Sequence, residues 1–263
     1  METISHKNVL DKIKYYSPKG FKASEVDFIL KNRDLVEHQL LSVLHDALSN
    51  TLDFLEEERE DLILASYILA YWKVEAAFDL FLKIFSLPED VLDTLFGDIV
   101  TEDLPIFLYR TAHGRIDDLK EFIQRDDVDD FVRGSALGTL SFMCLNSSEH
   151  KKIIMPFYEG ILRKAIFHDF DEAGGEFDYI PTFVVSELYS LYPGNYLNQI
   201  KSVFKVGAIE EDFIELRDIQ KAVNKGEKVC LEEFKQEFLS RDITDIRESM
   251  SWMDGYKTAS KFH

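Results

Sequence analysis

Helical hydrophobic periodicity recurs along nearly the whole chain and constrains the fold more than any other sequence feature. It is clearest over residues 61–72 and 75–85, which only two residues separate. Helices joined by so short a gap fold back on one another as an antiparallel pair. Further predicted pairs follow at 89–111 and 116–144, a spacing of about 35–45 residues that is typical of HEAT-like repeats. We therefore expect an all-α fold, an α-solenoid of stacked antiparallel helix pairs.

The composition agrees with a packed helical protein. Hydrophobic residues make up 46% of the 263 residues, enough to form a sizeable core, whereas Gly (12) and Pro (6) are scarce. Scarcity of turn residues disfavours an all-β fold. We expect a helical-repeat domain over residues 1–224 and a C-terminal helical extension over residues 225–263, packed on that domain or partly frayed.

Start and stop signals place the other helices. Ser24 is the expected N-cap of a helix over 25–32, and Thr101 is the expected N-cap of a helix that ends before His113-Gly114. Asn224-Lys225-Gly226 is a helix stop signal. The remaining predicted helices cover residues 7–16, 35–48, 89–96, 150–167, 180–192, 196–205, 213–223, 231–239 and 243–252.

The charge balance excludes some partners. Lys and Arg total 30 against 49 Asp and Glu, a net charge of −19. Such a chain repels nucleic acid and anionic lipid, and the basic residues form no concentrated patch. The acidity serves solubility, or it provides a docking face for a basic partner. We therefore expect no nucleic-acid or membrane partner.

Cysteine usage and the N-terminus indicate a cytoplasmic protein. Cys144 and Cys230 are far apart and fit no metal or disulfide spacing, and Cys144 lies in an apolar run where a buried thiol is expected. The first residues are polar and contain no secretory signal. No apolar run approaches the roughly 18 residues that span a bilayer.

Five segments resemble a known family. They are LASYILA (64–70), AFDLF (77–81), LPED (87–90), GDIVTEDL (97–104) and DDVDDFVR (126–133). Together they make the chain similar to the DUF1186 family, bacterial helical proteins without an assigned activity. The resemblance covers residues 10–220 and implies a HEAT-like helical fold.

The resemblance does not carry over a zinc site. Some members of that family have a C-terminal, cysteine-rich SEC-C zinc motif. In this chain Cys230 is the one cysteine after Cys144, and His263 is the one histidine after Cys230. Two such residues cannot supply the four ligands of a structural zinc site.

Asp98 and Glu102 form the first candidate constellation. As a carboxylate pair they could bind a metal or perform acid–base work. The structural interpretation is that Gly97 ends one helix, Thr101 caps the next, and Glu102 complements the dipole of that next helix.

The acidic loop at residues 168–178 is the second candidate. His168, Asp169, Asp171 and Glu172 offer ligands for a divalent cation on a glycine-containing loop, although the spacing is not that of an EF-hand. The alternative is a solvated acidic loop between two helices. The chain has no Walker loop, no Gly-x-Gly-x-x-Gly and no Gly-x-Ser-x-Gly elbow, so no cofactor is predicted.

Aromatic residues near 179–192 provide a candidate recognition surface. Tyr179 and Phe183 would anchor a partner if they face a concave surface. We expect a non-catalytic protein-binding or scaffold module whose partner is another protein or a basic peptide segment. The alternatives are a metal-dependent enzyme that uses the loop at 168–178, and an oligomerisation unit.

Overall fold

The computed structural model describes residues 4–15, 22–56, 59–167 and 177–251. These residues form seventeen α-helices and one short 3-10 helix, and they contain no β-strand. The all-α prediction is therefore confirmed. The helices are arranged in two compact units.

The first unit contains residues 1–99, 106–113 and 242–263. Its helices are α1 (Val9–Ile13), α2 (Ala23–Lys31), α3 (Arg33–Ser49), α4 (Thr51–Glu56), α5 (Asp61–Tyr71), α6 (Ala76–Ile84), α7 (Glu89–Leu95) and α17 (Ile246–Ser249). Two helices cross from one unit to the other along the chain, namely α8 (Ile99–Glu102) and α9 (Leu104–Thr111).

Helix α5 lies at the centre of the first unit. Nearly every residue from Asp61 to Ala70 is buried, as expected for a helix that is hydrophobic on all sides. Helix α3 packs against both α5 and α6. The rings of Tyr67, Phe81 and Phe107 meet in this core, with centroids 4.9 Å apart for Tyr67–Phe107 and 5.6 Å apart for Phe81–Phe107.

Arg110 joins three segments of the first unit. Its buried guanidinium donates to the carbonyl oxygens of Ala70 (2.8 Å) and Tyr71 (3.0 Å), the last two residues of α5, and it pairs with the carboxylate of Asp242. The last carbonyls of a helix have no partner within the helix. Arg110 therefore caps α5 and fastens the start of the C-terminal segment to it.

The second unit contains residues 100–105 and 114–241. Its helices are α10 (Ile116–Ile123), α11 (Asp130–Asn146), α12 (Ser148–Phe167), α13 (Ile180–Leu191), α14 (Leu197–Lys205), α15 (Leu216–Lys225) and α16 (Glu227–Arg241), with the 3-10 helix Pro193–Tyr196 after α13. Helix α11 packs against α10, α12, α13 and α16. Helix α16, which falls within the predicted extension 225–263, packs on α13. The predicted division after residue 224 stays a prediction.

Helices α11 and α13 run in the same direction. Gly134 faces Phe183, and one turn later Gly138 faces Glu187. Two polar residues of α11 hold the segment 100–105: Ser135 Oγ donates to Val100 O (2.6 Å), and Thr139 Oγ1 donates to Pro105 O (3.0 Å). The small side chains of α11 therefore allow α13 to approach on one side and the segment 100–105 on another.

Most predicted helices are present, but two predicted caps are wrong. Helix α2 begins at Ala23, so Ser24 lies inside it and its hydroxyl bonds Glu25 instead. Thr101 lies inside the short helix α8, and a new helix begins at Leu104. Gly97, His113 and Gly114 have positive φ where the sequence predicts helix ends.

Helix α4 has no counterpart among the helices that the sequence predicts. Its six residues are too few for a periodic signal, and the Thr51 hydroxyl links it to the end of α3 by donating to Ala47 O (2.8 Å). In the part of the chain that the structure describes, no helix has the length and apolarity needed to cross a membrane.

We predict that Arg110→Met lowers the free energy of unfolding by about 2–4 kcal/mol, because it leaves Asp242 and two helix-end carbonyls without their donor. The control is Arg163→Met, which removes an exposed guanidinium paired with Glu159 one turn away. That control costs at most about 0.5 kcal/mol. Urea denaturation measures both, and equal losses would contradict the capping role of Arg110.

Candidate functional site

A cavity of about 180 Å³ opens beside α11, α13 and α16 in the second unit. We call it the Glu187 cavity. Its apolar wall consists of Pro105, Phe131, Phe142, Phe183 and Phe234, and its polar groups come from Thr101, Ser135, Glu187, Ser190, Glu237 and Arg241. A mostly apolar concavity with a few convergent polar groups is the usual form of a binding site.

Two glycines of α11 form one side of this cavity. A Cβ atom at Gly134 would lie 2.8 Å from Cδ2 of Phe183, closer than such atoms can approach. A Cβ at Gly138 would lie 3.5 Å from Glu187 Oε1, an ordinary contact. Gly134 is thus required by the packing of Phe183, whereas Gly138 leaves space that a methyl group could occupy.

Glu187 is the central polar group of the cavity. It is half-buried on α13, and Ser141 of α11 hydrogen-bonds its carboxyl group. Ser141 Oγ lies 2.9 Å from the hydroxyl of Tyr158, which donates to Leu137 O at 2.7 Å. The carboxyl group thus ends a buried chain of hydroxyl groups.

The pKa of Glu187 is raised to about 7. Loss of solvent is the main cause, and the nearby charge of Glu237 adds to it; the hydrogen bond from Ser141 and the charge of Arg241 act in the opposite direction.

Glu237 and Arg241 stand at the mouth of the cavity, one turn apart on α16. Arg241 Nη1 lies 3.3 Å from Glu237 Oε1, and Nη2 donates to the backbone oxygens of Thr101 and Glu102. Its guanidinium also lies over the ring of Phe142, 5.7 Å from the centroid. Hydrogen bonds to the backbone thus fix the position of Arg241, and the carboxylate of Glu237 partly neutralises its charge.

An aromatic cluster continues the apolar wall outward. It consists of Phe131, Phe177, Tyr179, Phe183 and Phe213, whose rings approach with centroids 5.1–6.2 Å apart. Phe213 is 51% exposed, whereas the other four are half-buried. Phe131 and Phe183 belong to the cluster and also line the cavity, so the two features form one continuous surface.

Of the candidate residues Asp98, Glu102, Tyr179 and Phe183, the structure places the two aromatic ones in a single cluster. Tyr179 and Phe183 lie in the aromatic cluster, with ring centroids 6.2 Å apart. Asp98 is exposed in the first unit, and Glu102 is exposed in the second unit, where its backbone oxygen accepts a bond from Arg241. Neither carboxylate lines the cavity.

The predicted metal ligands His168, Asp169, Asp171 and Glu172 lie outside the described residues. Asp178, the last residue of that loop, is described: its Oδ1 accepts from the backbone N–H of Ile180 at 3.0 Å, at the start of α13. Within the described ranges, no three His, Cys, Asp or Glu residues are grouped so that they could hold a metal ion. Cys144 and Cys230 are free thiols and Cys144 is buried, as expected; Cys230 is buried as well.

Sequence reasoning missed Glu187, Glu237 and Arg241. A signal for the first was present, because Glu187 is the one charged residue in α13, a helix that is otherwise apolar, hydroxylic or aromatic. A single charge in such a helix is either at an exposed stripe or in a functional position. The other two residues lie on the highly charged α16, where nothing in the sequence distinguishes them.

The family described as "Protein of unknown function (DUF1186)" matches residues 4–257. The chain belongs to the DUF1186 family. It is 24% identical over 236 residues to an uncharacterized protein of Chlamydia muridarum (strain MoPn / Nigg), covering 87% of this chain and 88% of the relative. An uncharacterized protein of Chlamydia trachomatis serovar D is 24% identical over 239 residues, with the same coverage. No solved structure matches.

Replacing the two cavity glycines should give opposite results in this DUF1186 protein. Gly138→Ala should raise the free energy of unfolding by about 0.5–1 kcal/mol, because alanine favours the helix and its methyl group fits. Gly134→Ala should lower it, because Phe183 must move. Gly160→Ala on α12, where nothing lies within 4 Å, measures the helix-propensity gain alone. An equal gain in all three variants would contradict the packing at Gly134.

The raised pKa of Glu187 predicts a pH-dependent stability. Because the folded state holds the proton of Glu187 more tightly than the unfolded state, the contribution of Glu187 to stability is greatest below about pH 4.5 and falls as the pH rises toward about 7. Glu187→Gln removes this dependence. The stability of wild type relative to this variant should fall by on the order of 2 kcal/mol across that range. Urea titrations at several pH values measure it, and a constant difference would exclude the shift.

Proposed function

We propose that this protein is a non-catalytic binding module that recognises a basic protein segment with apolar side chains. The recognition surface is the aromatic cluster together with the Glu187 cavity. In this proposal the stacked helices act as a HEAT-like scaffold in the bacterial cytoplasm. Helical-repeat proteins commonly use such surfaces to hold a peptide or another protein.

The observation that carries the proposal is the continuity of the aromatic cluster with the cavity. Phe213 exposes half of its surface next to half-buried rings. Aromatic side chains dominate binding energies at protein interfaces, particularly beside pockets that exclude water. A partner that covers Phe213 would bury apolar area and would reach the cavity mouth at the same time.

Charge supports a basic partner. The net charge of −19 attracts a cationic segment over a distance of about 8 Å at physiological salt. The carboxyl group of Glu187 brings this preference to the cavity itself, since Glu237 is paired with Arg241. Complementary charge mainly increases the association rate and the specificity, and the apolar contacts hold the complex.

The experiment uses labelled peptides that combine Lys or Arg with Leu and Phe, and their twins in which Gln replaces every basic residue. In fluorescence anisotropy at low salt, the basic peptides should bind the full chain about tenfold more tightly than the peptides with Gln. Higher salt should reduce this difference in affinity. Phe213→Ser should weaken binding about tenfold, because it removes the exposed ring.

The matched control is Phe167→Ser, which removes an exposed ring at the end of α12. It should leave the affinity unchanged. Equal losses in both variants would refute the proposed surface, and no binding of any basic peptide would refute the proposed function.

A further inference from the structure

We infer that the Glu187 cavity receives one lysine side chain of the partner, whose ammonium group pairs with the carboxylate of Glu187. This inference rests on the proposed function and specifies which group of the basic segment the protein recognises. It follows from the depth, the charge and the hydrogen bonding of the cavity.

The depth fits an extended side chain. Phe183 and Glu187 are one turn apart on α13, about 6 Å along the helix. On α11, Gly134 takes the ring of Phe183 against its backbone, and Gly138, one turn later, leaves room for a methyl group beside Glu187. All four residues line the cavity. A side chain that enters past Phe183 would therefore lay its apolar stem on the ring and present its end to Glu187. The four-carbon stem and terminal charge of lysine have this form.

The volume admits one side chain of this kind. Cavities of about 150 Å³ accept a molecule as large as benzene, and the Glu187 cavity measures about 180 Å³. The charged residues that line the neighbouring cavity, about 110 Å³, are Lys225, Glu233 and Glu237. Lys225 pairs with Glu233 at 2.7 Å, and Glu237 pairs with Arg241. Its charges are already matched, so it offers less to a cationic ligand.

Glu187 decides the charge inside the cavity. Glu237 and Arg241 form an ion pair, so their charges nearly cancel. Burial raises the pKa of Cys144 of α11 to about 12 and holds the pKa of Tyr158 of α12 well above 10, so both groups are neutral near pH 7. The carboxyl group of Glu187 is therefore the group that makes the cavity anionic when it loses its proton.

The hydrogen bonding favours lysine over arginine. Ser141 already bonds the Glu187 carboxyl group, and Arg241 already places a guanidinium over Phe142 at the mouth. A second guanidinium needs both carboxylate oxygens for its two parallel hydrogen bonds, and the stacking position over Phe142 is already taken by Arg241. The compact ammonium group of lysine needs one oxygen.

The test uses a peptide from the basic set that contains one lysine among Leu and Phe, with norleucine and arginine twins. At about pH 8, isothermal titration calorimetry should show that the lysine peptide binds at least about tenfold more tightly than the norleucine twin, and more tightly than the arginine twin. Its affinity should fall about tenfold from pH 8 to pH 6, because only the deprotonated fraction of Glu187 binds the ammonium group.

Proton release distinguishes this site from general charge attraction. Near pH 6.5, binding of the lysine peptide should release protons, measured as a heat that changes with the ionisation enthalpy of the buffer. Glu187→Gln should abolish the release and the pH dependence and weaken the lysine peptide about tenfold. Glu232→Gln, an equal charge change on an exposed part of α16 outside the cavity lining, should change none of these.

The outcomes separate the two proposals. If the lysine and norleucine peptides bind equally, or if both glutamate variants behave alike, the lysine site is refuted, and the proposed function stands provided that Phe213→Ser still weakens binding. If neither peptide binds, the proposed function itself fails. Equal affinity for the lysine and arginine peptides would refute the specificity for an ammonium group.

Discussion

The small side chains of helix α11 determine how the second unit is assembled. Toward α13 and the segment 100–105, α11 presents glycine, serine and threonine, whereas large apolar residues such as Phe142 fill other parts of its surface. Gly134 lets Phe183 approach, and Thr139 bonds the backbone of Pro105. A larger residue at either place would push away α13 or the segment 100–105. Gly138 also lines the Glu187 cavity, where a Cβ atom would lie 3.5 Å from Glu187 Oε1.

This arrangement explains which parts of the structure the sequence could predict. Helices α11 and α12 are long, with 17 and 20 residues, and local pattern is sufficient to find them. The predicted caps at Ser24 and Thr101 are wrong, because a hydroxyl group can equally bond within a helix. Thr94 inside α7, whose hydroxyl donates to Asp90 O at 2.9 Å, shows this use. Helix α4 is short and depends on its contact with α3.

The candidate site was less predictable than the fold because its residues come from distant parts of the sequence. Tyr179 and Phe183 stand out in the sequence for their aromatic character, and their place beside Phe213 depends on a loop between α14 and α15. The environment of Glu187 is built by α11, α12 and α16, so its raised pKa has no local sequence signal. The local sequence shows only that α13 contains a single charged residue.

A charged carboxyl group that has lost part of its hydration destabilises the folded state. Other residue types would suit position 187 better if its only role were to pack the helices together. Glutamine would keep a hydrogen bond to Ser141 without the charge, and leucine would place no polar group there at all. Glu187 instead combines a poorly solvated carboxyl group with open space and an adjoining aromatic surface. The stability lost by ionising it would be recovered when a cation enters, since the charge is then paired and covered. A position that is costly in the free protein and satisfied in a complex is better explained by recognition than by folding.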